Sequence, residues 1–302
     1  MTSYSSSKKN YSEILHETVN KNYKKRMIVN KLVTVLSIVC VVAAIIPLGS
    51  ILLEVVKNGA SAISIEFLTQ PQGSIGSGSG GVGPAIQGTI IVVGLASLIA
   101  APIGVLAAIY LSEFAKGGLF ADSVRFFNDV LTGLPSIVIG IVGYVIIVLS
   151  IGSFSVFAGA ISLSIIMIPI VVRVTEETLK IVPYSLREAG HSLGISKAKI
   201  TLSIVLPSAK HGILTGIVLA ISRIAGETAP LIMTILGTSL FFTGITGPVD
   251  ALPLRIWRLA SQPYESAHAF GWGSALVLIM MILAMSIGLR FLARRSSFKG
   301  AI

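Results

Sequence analysis

Long apolar runs, unbroken by charge, set the pattern along this chain. Residues 32–53 carry no charge and suffice to cross a bilayer, which takes about 20 predominantly apolar residues. A second uncharged stretch covers 67–112. Its opening, Gly73 to Pro84 (GSIGSGSGGVGP), is too rich in Gly and Ser for a helix, so the pattern predicts a span over 86–111. Residues 130–172 are again uncharged and too long for one crossing at about 1.5 Å per residue. The break Ser150-Ile151-Gly152-Ser153 divides them into a tight hairpin of two spans, 131–150 and 155–173. A fifth span is predicted over 212–236, with Arg223 and Glu227 inside it, and a sixth over 270–291. Pro102, Pro135 and Pro169 are expected to kink their helices. The fold class predicted is an all-α membrane protein of six transmembrane helices.

Composition agrees and charge adds orientation. Of 302 residues, 53% are hydrophobic and 12% charged, with a mean hydropathy of +0.88; a soluble domain carries about 25% charged residues. The single cysteine, Cys40, lies in the first apolar run and excludes an intrachain disulfide. The net charge of +10 is unevenly placed. Seven Lys/Arg fall before the first span, two in 112–130, six in 173–211 and four at the C-terminal end, 19 on one side of a six-span chain, against Lys57, Arg255 and Arg258 on the other. That asymmetry places both termini in the cytoplasm and makes the basicity topological rather than a nucleic-acid surface. The first run is longer than the 7–15 residues typical of a signal core, and reads as a retained helix. The organisation expected is a cytoplasmic tail over 1–31, a first helix over 32–53, an extracytoplasmic Gly/Ser-rich loop over 54–85, a transmembrane domain over 86–292 and a cytoplasmic tail over 293–302.

The longest cytoplasmic loop, 175–210, has a pattern of its own. After Pro183 it reads as helix–turn–helix: 184–193, a break at Gly194, then 196–205 with Ser196 as N-cap and a stop at Pro207. Glu188-Ala189-Gly190, Gly194 four residues on, and Ile204-x-Leu206-Pro207 together resemble the coupling motif EAA---G---------I-LP of ABC importer permeases. Gly190 departs from the motif's Ala, keeping the residue small at a helix-propensity cost of about 1 kcal/mol. The resemblance implies that Glu188, Ala189, Gly190, Gly194, Ile204, Leu206 and Pro207 contact an ATPase subunit and transmit its closure to the membrane helices. Gly194 is intelligible at a turn needing φ > 0.

Arg223 and Glu227 are costly within a span, at least about 2.5–3.5 kcal/mol for an Arg at the bilayer centre, so both should face protein or a wet path. At 100° per residue, Gly212, Gly216, Ala220, Arg223 and Glu227 fall within about 80° of one another, one small-residue face suited to helix packing. Two readings stand here: an i, i+4 ion pair that neutralises itself, or a guanidinium that meets an anion while Glu227 holds it. The planar fork of Arg suits a tetrahedral oxyanion.

Residues 222–231, SRIAGETAPL, and 168–190, IPIVVRVTEETLKIVPYSLREAG, are similar to the PstA-type permease of the phosphate ABC importer. The resemblance covers roughly 85–292. It implies the ABC importer permease fold, phosphate import across a bacterial inner membrane by alternating access, and three partners: a sister PstC-type permease, two PstB-type ATPase subunits and a PstS-type phosphate-binding protein. It adds Arg173 to Arg223 and Glu227 as a substrate-path candidate. No G-x-x-x-x-G-K-[ST] occurs, so ATP and Mg are expected on the partner ATPase and no enzymatic activity is expected of this chain. His16, His191, His211 and His268 have no metal-ligand spacing. Rival readings are a permease for another oxyanion or polar solute, a proton-coupled secondary transporter using Glu227, and a scaffold that only anchors an ATPase.

Overall fold

A computed structural model describes residues 3–73, 79–115 and 117–298; positions 74–78 of the Gly/Ser tract, Lys116 and the last four residues lie outside it. The chain divides into two units, Met1–Val56 and Lys57–Ile302. The first is helix α1 (Ser3–Gly59) almost throughout. The segment expected as a tail over 1–31 is thus helical from Ser3, and the 32–53 span is the middle of one 57-residue helix. The reason is local: no Gly or Pro occurs between Ser3 and Ile46 to stop helix propagation.

In the second unit the expected loop 54–85 holds a short turn, Ala60–Ala62, and α2 (Ile65–Thr69), capped by Ser64, whose hydroxyl accepts from the Phe67 N–H at 3.0 Å. Helix α3 (Gly83–Ile109) starts with Pro84 in its first turn and widens into a π-turn over Tyr110–Phe114. Next come α4 (Leu119–Gly133), α5 (Ser136–Gly143), a π-turn (Tyr144–Val148) and α6 (Leu149–Ile151). The span expected over 131–150 starts instead at Ser136, and the chain bends by 104° between Gly133 and Ser136. Pro135 separates two helices rather than kinking one, because it forces Leu134 out of the α region, to ψ 136°. Gly152, at φ 78°, closes the hairpin as expected.

Helix α7 (Val156–Ile181) opens on a Ser155 cap. It overruns the expected end at 173, since Thr-Glu-Glu-Thr-Leu-Lys propagates it with i, i+4 pairs Arg173–Glu177 and Glu176–Lys180. The coupling loop expected over 175–210 is therefore largely helical. It contains α8 (Tyr184–Ser192), then α9 (Lys197–Ile200), a π-turn (Thr201–Val205) and α10 (Leu206–Ala225) in one continuous rod. Pro207 does not stop that rod. The π-turn lets the Leu206 N–H reach back to the Thr201 carbonyl, easing the ring past the preceding turn.

The span expected over 212–236 ends early, at Ala225; Gly226 caps it, and α11 (Ala229–Thr234) starts anew with Pro230 in its first turn. Helices α12 (Leu252–Ala260) and α13 (Glu265–Phe298) complete the described chain. Among the described residues, five helices are long and apolar enough to cross a membrane, six if the bent pair Leu119–Gly133 and Ser136–Ile151 counts as one span.

The core runs between α3, α7 and α10. Ala96, Ala100, Gly104 and Ala108 recur every fourth residue on α3 and are all buried. A methyl on Gly104 would stand 2.8 Å from Val171 of α7, so small residues set how closely these helices approach. Leu163, Met167, Ala220, Ile224, Leu231 and Ile235 complete the cluster around the end of α10.

Candidate functional site

The last turn of α10 carries Arg223. Glu227 is not on that helix: Gly226 ends it, the Glu227 N–H donates to the Ile224 carbonyl at 3.1 Å, and the chain swings into α11. The two side chains still meet, Nη1 of Arg223 on Oε1 of Glu227, but unequally: the arginine side chain is 60% exposed and the glutamate 9%. The face expected to be buried throughout is buried at Gly216 and Ala220 and opens at Arg223. Gly216 lies against Val174 and Gly212 against Thr178, both on α7. Beyond them a guanidinium would need several acceptors to leave water, and one carboxylate is what the helix end supplies. Ser222, beside Arg223, shares a 3.0 Å hydrogen bond with Ser286, joining α10 to α13.

Arg173 sits on α7 two turns before its end, exposed, its Nε 2.6 Å from Glu177. It borders a cavity of about 140 Å³ with Arg125, Asn128, Asp129, Glu176 and Lys180. Glu176, buried, is held there by Arg125 at 3.3 Å and Lys180 at 2.8 Å. Arg173 thus has a neighbourhood of paired charges, whereas Arg223 has one partner.

The loop motif folds around Gly194, at φ 73°. Its N–H donates to His191 O at 2.9 Å and the Ile195 N–H to Gly190 O at 3.2 Å, closing α8 with a left-handed residue. Gly190, the departure from the motif, is buried, and a methyl there would stand 2.8 Å from Cγ1 of Ile200. Glycine is what lets α8 lie on α9. Glu188, Ala189, Ser192 and Leu193 are exposed, as are Tyr184 and Leu186, so α8 offers a mixed polar and apolar outer face. Ile204 and Leu206 pack on a cluster of Leu179, Val182, Ile200 and Val205, while Pro207 is exposed. Ser196 precedes α9 as expected, but its hydroxyl makes no cap bond.

Two ion pairs escape the sequence reading. Arg187 on α8 grips Glu113 at the end of α3, 74 positions away. Asp250 and Arg255 pair in full burial ahead of and within α12, Nε to Oδ2 at 2.6 Å. Arg255 also donates to Thr238 O at 3.2 Å, and Arg258 donates to Leu236 O. For the second pair, the spacing of an acidic residue just ahead of an Arg-bearing amphipathic helix was a usable signal; for the first, none existed locally.

Comparison with known proteins agrees with this architecture. Residues 100–298 match the family described as binding-protein-dependent transport system inner membrane component. The chain is 37% identical over 273 residues to the phosphate transport system permease protein PstA of Yersinia pestis, covering 90% of this chain and 92% of that one. It is 39% identical over 258 residues to the protein of the same name from Haemophilus influenzae, covering 85% and 91%. Among solved structures, a bacterial alginate ABC transporter in complex with a pentasaccharide-bound periplasmic protein shares the fold, with a TM-score of 0.63 at 15% identity over 88% of this chain and 95% of that one. With helices long enough to span a bilayer, a turn-linked loop motif and relatives alike over nine-tenths of its length, the chain belongs to the inner-membrane permease family of binding-protein-dependent transporters, in its PstA phosphate-system branch.

Proposed function

We propose that this chain imports inorganic phosphate, and that Arg223 contacts the anion on its way through. As a permease of its family it works with an ATPase and a substrate-binding protein. The finer assignment is a sister PstC-type permease, two PstB-type ATPase subunits and a PstS-type binding protein, with ATP and Mg held by the ATPase and no hydrolysis by this chain. Phosphate arrives on the binding protein from outside. ATPase closure then moves the 184–207 loop, and the path switches from outward to inward access.

One observation carries the role of Arg223: its guanidinium is exposed at a helix end with a single buried carboxylate holding it. Glu227 takes one nitrogen of the fork, which leaves other N–H groups for two phosphate oxygens. Phosphate near neutral pH carries between one and two negative charges, so one arginine here balances it only in part, and partner residues supply the rest. Few donors suit passage, because a transported ion must also leave. Arg173, tied to Glu177 near paired charges, serves the path less directly, as an interfacial anchor near its cytoplasmic end. Gly212, Gly216 and Ala220 serve by letting α10 lie close on α7.

The test is ATP-dependent phosphate uptake into vesicles holding the complete complex, with and without this chain. Uptake that needs the chain, and resists excess sulfate, is the expected result. Uptake blocked equally by sulfate would replace phosphate with a broader oxyanion class, and uptake without the ATPase would replace the importer with a secondary transporter.

A further inference from the structure

A single guanidinium ties the coupling helix α8 to the ends of two longer helices. Arg187 and Glu113 are almost out of water, 14% and 5% exposed. Nε of Arg187 donates to Oε2 of Glu113 at 3.1 Å and Nη2 to Oε1 at 2.6 Å, a two-pronged grip on both carboxylate oxygens. Two of the three remaining N–H groups are used as well: Nη1 bonds the Val182 carbonyl at 2.8 Å and Nη2 the Leu179 carbonyl at 3.0 Å. Those carbonyls close α7, where a helix end lacks partners of its own. Three elements therefore meet on one side chain: the π-turn that ends α3, the end of α7 and the first turns of α8.

Burial makes the joint stiff. Removing either charge would leave the other unpaired in a dry site, so sliding α8 off Glu113 is costly, and α8 moves most cheaply with the ends of α3 and α7 attached. Ile200 under Gly190 holds the opposite side of α8 to α9. Followed into the bundle, α3 and α7 bring Val92, Ala96, Leu163 and Met167 into one cluster with Ala220 and Ile224, around the turn that carries Arg223.

We infer that Arg187 and Glu113 are positioning residues that carry the displacement of α8 into α3 and α7, so that ATPase closure reaches the substrate path through this pair. The inference rests on the proposed contact between the 184–207 loop and the ATPase. A plain anchor would keep α8 folded and do nothing else. The readout that separates the two is phosphate imported per ATP hydrolysed, measured on the reconstituted complex, because a loss of folding lowers both quantities together and leaves their ratio alone.

The double variant Glu113→Leu with Arg187→Met keeps volume and removes both charges, an exchange that buried pairs usually tolerate. We expect it to assemble, to hydrolyse ATP, and to import about five- to tenfold less phosphate per ATP, the lower end of the usual coupling between sites. Glu113→Gln, which keeps the shape and one carbonyl acceptor, should lower the ratio less. A ratio within twofold of wild type in the double variant overturns the link. If the double variant does not assemble, a wild-type ratio in Glu113→Gln overturns it instead. Failure of the phosphate reading looks different: the wild-type complex itself would then import no phosphate.

Discussion

Two arginines of this chain each hold a glutamate, and they do so in opposite ways. Arg187 spends its donors on four acceptors, both oxygens of Glu113 and two carbonyls that end α7, and is nearly buried. Arg223 meets Glu227 through one oxygen, and its guanidinium stays mostly in the open. The buried member of the second pair is the acid, not the base. A guanidinium with four of its five N–H groups engaged and little exposure can position but has little left to bind with; one with a single partner, held by a buried carboxylate, is oriented and still free to take another anion. A third pair, Asp250–Arg255, lies at the buried extreme, with both side chains enclosed.

The strongest way to break the contrast is to remove charge at Arg223. Arg223→Gln should reduce phosphate uptake to that of vesicles lacking the chain while the complex still assembles, and Arg223→Lys should stay impaired because a point charge loses the fork. Adding Glu227→Gln distinguishes the roles. Two charges that merely neutralise one another would be relieved by removal together, so the double variant should regain uptake under that reading. We expect none to return.

The loop offers the next largest effect. Gly194→Val places a β-branched residue at φ 73°, a strained conformation outside glycine. Phosphate-stimulated ATP hydrolysis should fall with membrane insertion unchanged, whereas Gly190→Ala, which crowds Cγ1 and Cδ1 of the buried Ile200, should cost about 1–3 kcal/mol of local packing and a smaller part of the stimulation. Equal losses in the two variants would show that turn geometry is not what the loop depends on.

The smallest effect sharpens the buried end of the comparison. Burial pushes the Asp250 carboxyl above the usual carboxylate range, although Arg255 beside it pulls the other way, and its Oδ1 finds no hydrogen-bond partner. A raised folded value means that the stabilisation from this group is full below the ordinary aspartate pKa and is lost as pH rises through the folded one. Between neutral pH and about pH 4, wild type should therefore gain in melting temperature on Asp250→Asn, at about 2–4 °C for each kcal/mol. An unchanged difference would mean that Arg255 holds the carboxylate at its usual value.

Much of this was legible in the chain beforehand. Apolar runs located the spans because length and freedom from charge are the physical requirements of a bilayer, and Gly152 and Gly194 announced their turns. Helix ends were harder. Pro207 looked like a stop because the sequence does not announce the π-turn that accommodates it, and α7 ran past 173 because charged helix formers beyond a span propagate it as well as apolar ones. The end of α10 was available in Gly226 and Pro230, a glycine cap and a first-turn proline, but hydrophobicity on both sides masked them. Arg187 and Glu113 could not be paired beforehand, since nothing in either local pattern points to a partner 74 positions distant.

The early end of α10 has an electrical meaning. The C-terminus of a helix behaves as roughly half a negative charge, felt within its last turn, and Arg223 stands in that turn. Between this dipole and the carboxylate of Glu227, most of the guanidinium's charge is already answered before an anion arrives. If Arg223 meets the anion as proposed, what remains is a shallow attraction with firm geometry, enough to orient a passing oxyanion and too little to detain it.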